Sequence, residues 1–167
     1  MKLKIVSMLT SFILALSFTN IATAKPHERG AYLEGNIGSN YTSFHFWGTD
    51  YSEFNSVAAN ANLGYQFFRY LALETGFTAY NRGLNGVDAA LKVILPLELG
   101  NNDVSLFGKI GPSYVFDNDS GSLLPYLGLG AAYSVTPNLD VNVQAQGVTV
   151  GFLSLGLLSA GLTYHFG

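Results

Sequence analysis

The closing segment Leu155-Gly-Leu-Leu-Ser-Ala-Gly-Leu-Thr-Tyr-His-Phe166 decides the fold of this chain. Counting back from Phe166, every second residue is apolar or aromatic, whereas the alternate set, which begins at His165, is mostly small or polar. A two-residue period is typical of a strand with one apolar and one polar face. The segment therefore predicts a β-strand, and comparable strands recur back to residue 30.

Eight strands are predicted in all, each by the same alternation. The seventh is the clearest, because Leu139, Val141, Val143 and Ala145 alternate without error with strongly polar residues. The eight segments are Gly30–Asn40, Asn55–Phe67, Leu71–Tyr80, Asp88–Leu97, Asp103–Phe116, Leu124–Val135, Leu139–Gly147 and Leu155–Phe166.

A cleavable signal peptide is predicted over residues 1–24. Lys2 and Lys4 precede an apolar run, and Ala22-Thr-Ala24 provides a small-residue cleavage site. A membrane-anchoring helix is the alternative, but the run is short for one. We expect a single mature domain over residues 25–167.

The composition excludes several classes of function. Without Lys2 and Lys4 the chain has six basic against 11 acidic residues, a net charge of −5, so no nucleic-acid partner is expected. The chain has no cysteine, which excludes disulfides, thiol nucleophiles and thiolate metal sites. Charged residues make up only 11% of the chain, whereas Phe and Tyr number 12 and 10, so the surface should face something other than water.

The connections between the predicted strands alternate in length. Short turns follow the second, fourth and sixth strands, and longer loops, 39–54, 81–87, 117–123 and 148–154, follow the odd-numbered ones. This is the layout of an outer-membrane barrel, whose closure leaves no exposed strand edge. We therefore predict an all-β fold, an eight-stranded antiparallel up-and-down transmembrane barrel with both termini periplasmic. A soluble sandwich would also alternate, but the polar faces carry Asn, Gln and Gly in place of many Lys and Glu.

A transmembrane helix over residues 147–164 is a second alternative. Between Val141 and Phe166 the only acidic or basic residue is His165, and the segment is long enough to span a bilayer as a helix. Four glycines and the flanking two-residue period argue against it.

Four segments resemble the transmembrane domain of OmpA-like outer-membrane proteins. They are Gly64–Phe77, Ala90–Pro96, Val135–Pro137 and Leu158–Gly167, in the order and spacing of that family. The ending, with Gly161, Tyr164 and Phe166, resembles the signal by which the barrel-assembly machinery recognises its clients. The resemblance implies an outer-membrane location and contact with lipid and lipopolysaccharide. OmpA-like proteins often continue into a periplasmic peptidoglycan-binding domain, and because this sequence departs from them there, we do not carry over peptidoglycan anchoring as an expectation.

The parity of the strands predicts charged residues inside the barrel: Glu34, Glu74, Lys92 and Lys109. Glu74 and Lys92 are symmetric about Gly83 and should face each other, and the two lysines are symmetric about the next turn. Glu34, Glu74 or Asp140 could neutralise the lysines. In the resembled family such charges form a network that fills the lumen, and Glu74, Lys92 and Lys109 fall on matching positions. A gated path for water or ions is the functional alternative to simple filling.

The long first loop, residues 41–54, is rich in aromatic residues. Its members Phe44, His45, Phe46, Trp47 and Tyr51 are candidates for a surface recognition patch with a host ligand. The alternative is that the flanking strands extend above the membrane and the aromatics pack on the rim.

No enzyme, cofactor or metal site is predicted. His165 has Ser159 and Thr163 on its own strand face but no acid close in sequence, and a catalytic hydroxyl needs both a base and an orienting acid. The sequence thus predicts a structural outer-membrane protein with surface loops that contributes to envelope integrity. A small channel and a surface adhesin remain the alternatives.

Overall fold

The computed structural model describes residues 30–46, 49–80, 83–99, 102–150 and 153–166. Each strand pairs antiparallel with the next, and β8 pairs with β1, so the sheet closes into a barrel and the predicted fold is confirmed. The predicted signal peptide lies outside the described residues. The strands are β1 (Gly30–Phe46), β2 (Thr49–Phe68), β3 (Leu71–Ala79), β4 (Asn85–Leu99), β5 (Asn102–Phe116), β6 (Gly121–Thr136), β7 (Leu139–Val150) and β8 (Leu153–Phe166).

The distribution of burial is the reverse of that in a soluble protein. Ile37 and Leu129 are 63% and 72% exposed on the outer face, whereas Asn62 and Asn142 are each 1% exposed inside the barrel. Apolar side chains outward and amides inward are stable only where the outer face meets an apolar medium. The alternation read from the sequence is therefore the alternation between lipid and lumen.

The helix weighed for residues 147–164 does not form. This segment belongs to the end of β7 and to β8, which pair from Leu139–Tyr164 to Val150–Leu153. Among the residues that the structure describes, no helix is long and apolar enough to cross a membrane.

The two ends of the barrel differ less than predicted, because β1 and β2, and likewise β7 and β8, are separated by only two residues each. The end that carries Gly30 and Phe166, here called the terminal end, has tight connections after β2, β4 and β6. At the opposite end, here called the loop end, the connections are shorter in the structure than the sequence predicted. β4 begins at Asn85, β6 at Gly121 and β8 at Leu153, inside segments that the sequence analysis assigned to loops.

The long first segment is largely strand, as the alternative of extended flanking strands predicts, so the strand ends predicted at Asn40 and Asn55 are corrected. β1 and β2 continue to pair through residues 39–54 as far as Phe46 opposite Thr49, so most of the predicted loop is a β-hairpin. Continued pairing satisfies the backbone N–H and C=O groups that an irregular loop would leave to solvent, and aromatic and β-branched residues favour strands.

Candidate functional site: the charged lumen

The four charged residues predicted inside the barrel meet at mid-height in the lumen, and together they are here called the ion cluster. The Lys92 ammonium lies 3.1 Å from Glu34 Oε2 and 3.2 Å from Glu74 Oε2. The Lys109 ammonium lies 3.0 Å from Glu34 Oε1 and 2.8 Å from Glu74 Oε1. Each lysine thus bridges both glutamates, and none of the four side chains is more than 8% exposed. A square of alternating charges satisfies the main condition for burying ions, which is that each has close partners of opposite sign.

Glu34 is the centre of a wider hydrogen-bond network. Its Oε1 accepts from Asn36 Nδ2 (3.0 Å), Asn62 Nδ2 (2.8 Å) and Gln144 Nε2 (3.0 Å) in addition to Lys109. Its Oε2 accepts from Thr163 Oγ1 at 3.4 Å. These donors come from β1, β2, β7 and β8, so one carboxylate ties together strands on both sides of the closing seam.

The lysine pairing in the ion cluster follows the prediction. Lys92 and Lys109 are direct partners across β4 and β5. Their charges do not repel the strands apart, because the two glutamates reach them from β1 and β3.

The predicted direct opposition of Glu74 and Lys92 is wrong. Glu74 lies opposite Ala90, and the pairing of β3 with β4 ends at Ala79–Asn85. The connection therefore spans residues 80–84 and is centred one residue before Gly83, which has a positive φ of 80°. The ion pair forms nonetheless, because the long lysine side chain reaches the carboxylate diagonally.

Two lumen aromatics that the sequence analysis did not single out cover the lysines. The Lys92 ammonium lies 4.4 Å from the centroid of the Phe107 ring and 5.0 Å from that of Tyr32, and the Lys109 ammonium lies 5.3 Å from that of Phe107. Cation–π contacts stabilise desolvated ammonium groups. The parity of Phe107, two residues before Lys109, was the signal that could have placed it inside.

A small polar cavity of about 50 Å³ lies between the ion cluster and the terminal end. Its lining includes Tyr32, Arg69, Asp140 and His165. His165 Nε2 lies 2.9 Å from Asp140 Oδ2, a pairing of β8 with β7 that sequence distance concealed. Asp140, which could have neutralised the lysines from the terminal end, is thus bonded to His165. The Thr163 hydroxyl donates to Glu34. It is therefore not placed to act as a nucleophile with the His165–Asp140 pair.

Toward the loop end the lumen holds a group of apolar side chains, here called the apolar plug, beside buried polar residues such as Asp88 and Ser113. Ala90, Val115, Tyr126 and Val148 form one buried cluster, against which Leu84, Leu124 and Leu155 pack. Tyr126 Oη donates to Gln146 Oε1 at 2.8 Å, which satisfies the hydroxyl that the cluster buries. The lumen thus holds a charged cluster at mid-height and an apolar cluster nearer the loop end.

The other predicted site residues lie on the walls and at the ends. Tyr164 and Phe166 face outward, 48% and 52% exposed, with ring centroids 5.2 Å apart. Gly161 lies on β8 opposite Asn36 at the seam with β1. Phe44, His45 and Phe46 belong to β1 and Tyr51 to β2, and Trp47 lies outside the described residues. The roles given to these residues in assembly and recognition stay predictions.

A closed antiparallel barrel with an apolar outer band and a polar interior defines a transmembrane β-barrel. Residues 10–166 match the family described as outer membrane protein beta-barrel domain, and the chain belongs to this family. Membership implies a location in the outer membrane of Gram-negative bacteria. Comparison with curated proteins found no match.

The chain is similar in fold to several solved barrels. Neisserial surface protein A shares 20% identity, with 82% of this chain and 97% of that one covered and a TM-score of 0.55. The N-terminal β-barrel domain of Pseudomonas aeruginosa OprF shares 14%, with 84% and 100% covered and a TM-score of 0.56. Ail, the attachment invasion locus protein of Yersinia pestis, in complex with the heparin analogue sucrose octasulfate, shares 15%, with 84% and 100% covered and a TM-score of 0.53. At these identities the likeness shows the fold alone.

Proposed function

We propose that this chain is a structural, non-catalytic barrel of the outer membrane whose lumen is closed at rest. The observation that carries the proposal is the ion cluster. Two lysines and two glutamates, each at most 6% exposed, fill the middle of the lumen, and an eight-stranded barrel is barely wide enough for its own side chains. A barrel so filled acts through its walls and its ends, by spanning the membrane and presenting hairpins beyond it.

The orientation belongs to the same proposal. In outer-membrane barrels the short turns and both chain ends lie on the periplasmic side, and the loop end lies outside the cell. In this orientation the hairpin of β1 and β2 lies at the cell surface, and the apolar outer band contacts lipid and lipopolysaccharide. The outward Tyr164 and Phe166 would be accessible to the barrel-assembly machinery before β8 pairs with β1.

Electrophysiology tests the closed lumen. The purified protein is first shown to be folded by its different mobility on gels with and without boiling, and is then added to planar lipid bilayers. We expect no stepwise conductance. Any steady conductance of the folded wild type would contradict the proposal, and a changed conductance in Lys92→Ala or Glu74→Ala would show that the pore runs through the ion cluster.

A second candidate, recognition at the cell surface, is favoured by the first hairpin. β2 pairs with β3 only from Ala59, opposite Ala79, onward, whereas it pairs with β1 as far as Thr49. Residues 49–58 therefore extend past the end of β3 by roughly 30 Å at the usual rise per residue. A tall hairpin on one side of the barrel is a suitable platform for a ligand, and cell-binding assays with and without it test this role.

A further inference from the structure

Asp88 on β4 is a buried carboxylate beyond the two that the lysines neutralise. It is 4% exposed and lies opposite Gly76 on β3 and Ser113 on β5. Its side chain makes no hydrogen bond or ion pair within the described part of the chain, where only its backbone oxygen accepts, from Thr75 at 3.0 Å. Lys92 and Lys109 are both committed to Glu34 and Glu74. The buried lumen thus holds three acids against two lysines.

The amide of Asn62 presents its oxygen to this carboxylate. Asn62 Nδ2 donates to Glu34 Oε1 at 2.8 Å and to Asn60 Oδ1 at 2.9 Å, which fixes the orientation of the amide. Its Oδ1 accepts from Asn60 Nδ2 at 2.9 Å and lies over Gly76, where an added Cβ would overlap it. Asp88 Oδ1 lies only 2.9 Å from the same Cβ position. Within the described residues the Asp88 carboxylate therefore faces an amide oxygen in place of a donor, and a positive charge would neutralise it.

A further oxygen atom lies on the neighbouring strand. Ser113 lies directly opposite Asp88 on β5, and its Oγ lies 3.5 Å from the position that a Cβ of Gly86, two residues before Asp88, would take. Ser113 is 2% exposed. Carboxylate, amide and hydroxyl oxygens without nitrogen or sulfur are the ligands that hard cations prefer.

Elsewhere in the described lumen, too, hydrogen-bond acceptors without a partner are in excess over donors. The carbonyl oxygens of Asn36, Asn142 and Gln144 are buried and accept no hydrogen bond. The nitrogens of Asn36 and Gln144 donate to Glu34, and that of Asn142 donates to Thr163. In the described lumen the unpartnered amide oxygens thus outnumber the unpartnered amide nitrogen, that of Gln146, and this balance favours a cation over an anion.

We propose that the lumen binds one monovalent cation of the Na⁺ or K⁺ type at Asp88, with Asn62 Oδ1 and Ser113 Oγ as further ligands. The site lies beside the ion cluster and next to the apolar plug. One positive charge makes the buried acids and bases equal in number, which a divalent ion would not. No group of three acidic or histidine side chains suited to a divalent metal occurs among the described residues. The nearby Lys109 ammonium opposes the cation, so binding is weak.

Cation-specific stability tests this site. The folded protein in detergent micelles is heated in NaCl, KCl or choline chloride at equal ionic strength, and the midpoint of unfolding is read from gel mobility. We expect a midpoint several degrees higher in NaCl or KCl than in choline chloride, because an ion that binds only the folded state stabilises it. Asp88→Asn should abolish the difference and be at least as stable as the wild type in choline chloride, since it removes an uncompensated buried charge.

Two further variants sharpen the result. Asp117→Asn changes an exposed carboxylate in the β5–β6 connection and should keep the full cation response. Gly76→Ala leaves the charge of Asp88 in place but overlaps Asn62 Oδ1, and should lose the response. The proposal is overturned if wild-type protein shows no preference for Na⁺ or K⁺ over choline, a comparison that needs no variant to fold. A preference that survives in Asp88→Asn would overturn it as well.

Discussion

Glu34 matters more than its partner Glu74 because of what surrounds it. The Glu74 carboxylate has Lys92 and Lys109 as its close partners, whereas Glu34 binds both lysines and also accepts hydrogen bonds from amides of β1, β2 and β7. Removing Glu34 leaves two buried ammonium groups underneutralised and several amides without an acceptor at once. Buried polar networks of this kind lose more than the sum of their pairs when the central member is removed.

We therefore expect Glu34→Gln to destabilise the barrel by about 3–5 kcal/mol, the usual cost of breaking a buried ion pair. Glu74→Gln, the matched isosteric change at the other corner of the square, should cost clearly less. Both are measured as shifts in the urea midpoint of unfolding from lipid vesicles, followed by intrinsic fluorescence. Equal losses in the two variants, or a larger loss in Glu74→Gln, would show that Glu34 is not the centre of the network.

The two-residue period could predict which residues enter the ion cluster but not how they are arranged there. Parity alone assigns Glu34, Glu74, Lys92 and Lys109 to the inner face. The bond from Lys92 to Glu34 joins residues 58 apart in sequence, and that from Thr163 to Glu34 joins residues 129 apart. Such contacts exist only once β8 has closed on β1, so they depend on the curvature of the whole sheet. The Asp140–His165 pair was missed for another reason, because it joins diagonal neighbours on β7 and β8, where Asp140 lies directly opposite Thr163.

At the scale of elements, the seam between β1 and β8 is where the barrel closes. Ala31 lies opposite Phe166 and the pairing runs on to Phe44 opposite Leu153. Gly161 lies at mid-seam, where an added Cβ would overlap the backbone oxygen of Gly35 and the side-chain oxygen of Asn36. Gly35 lies one position along on β1, and a Cβ there would meet nothing within 4 Å.

Gly161→Ala should therefore impair closure, whereas Gly35→Ala, its matched control across the same seam, should not. We expect the Gly161 variant to give a smaller fraction of heat-modifiable protein after refolding into vesicles, because a backbone oxygen cannot move aside without breaking the ladder. The Gly35 variant should refold like the wild type. Equal yields from the two would mean that close approach at Gly161 is not needed to zip β8 onto β1.

The ends of the strands were less predictable than their centres, and β1 and β2 show why. The period is clear where one face meets lipid and the other the lumen, as at Leu33 to Asn36. Beyond residue 40 both faces of the hairpin leave that environment, so the contrast between them fades in the sequence. The pairing of Tyr41 with Phe54 follows a register shift after Ser39, an irregularity that no periodicity encodes.

At the scale of the whole molecule, the tall hairpin is separable from the barrel that carries it. Thr42 lies opposite Glu53, so residues 43–52 can be replaced by Asn-Gly, the sequence preferred for a two-residue hairpin turn. We expect this variant to remain heat-modifiable with nearly unchanged stability, because the barrel ladder from Ser39 to the terminal end is untouched. If cell binding by the wild type is lost in this folded variant, the hairpin carries it. Failure of the variant to fold would show that the hairpin belongs to the barrel's stability.

The ion cluster and the apolar plug close the lumen in series, so opening one should not be enough for ions to pass. Lys92→Ala removes a corner of the ion cluster but leaves the loop end dry, and a narrow apolar constriction excludes ions by dewetting. Val115→Ser with Val148→Ser wets the plug but leaves the charges in place. We expect each of these to stay silent in planar bilayers and the three substitutions together to conduct.

Val143→Ser, on the outer face at 54% exposure, is the control, because combined with Lys92→Ala it should remain silent. If Lys92→Ala alone conducts as well as the triple variant, the apolar plug is not a barrier.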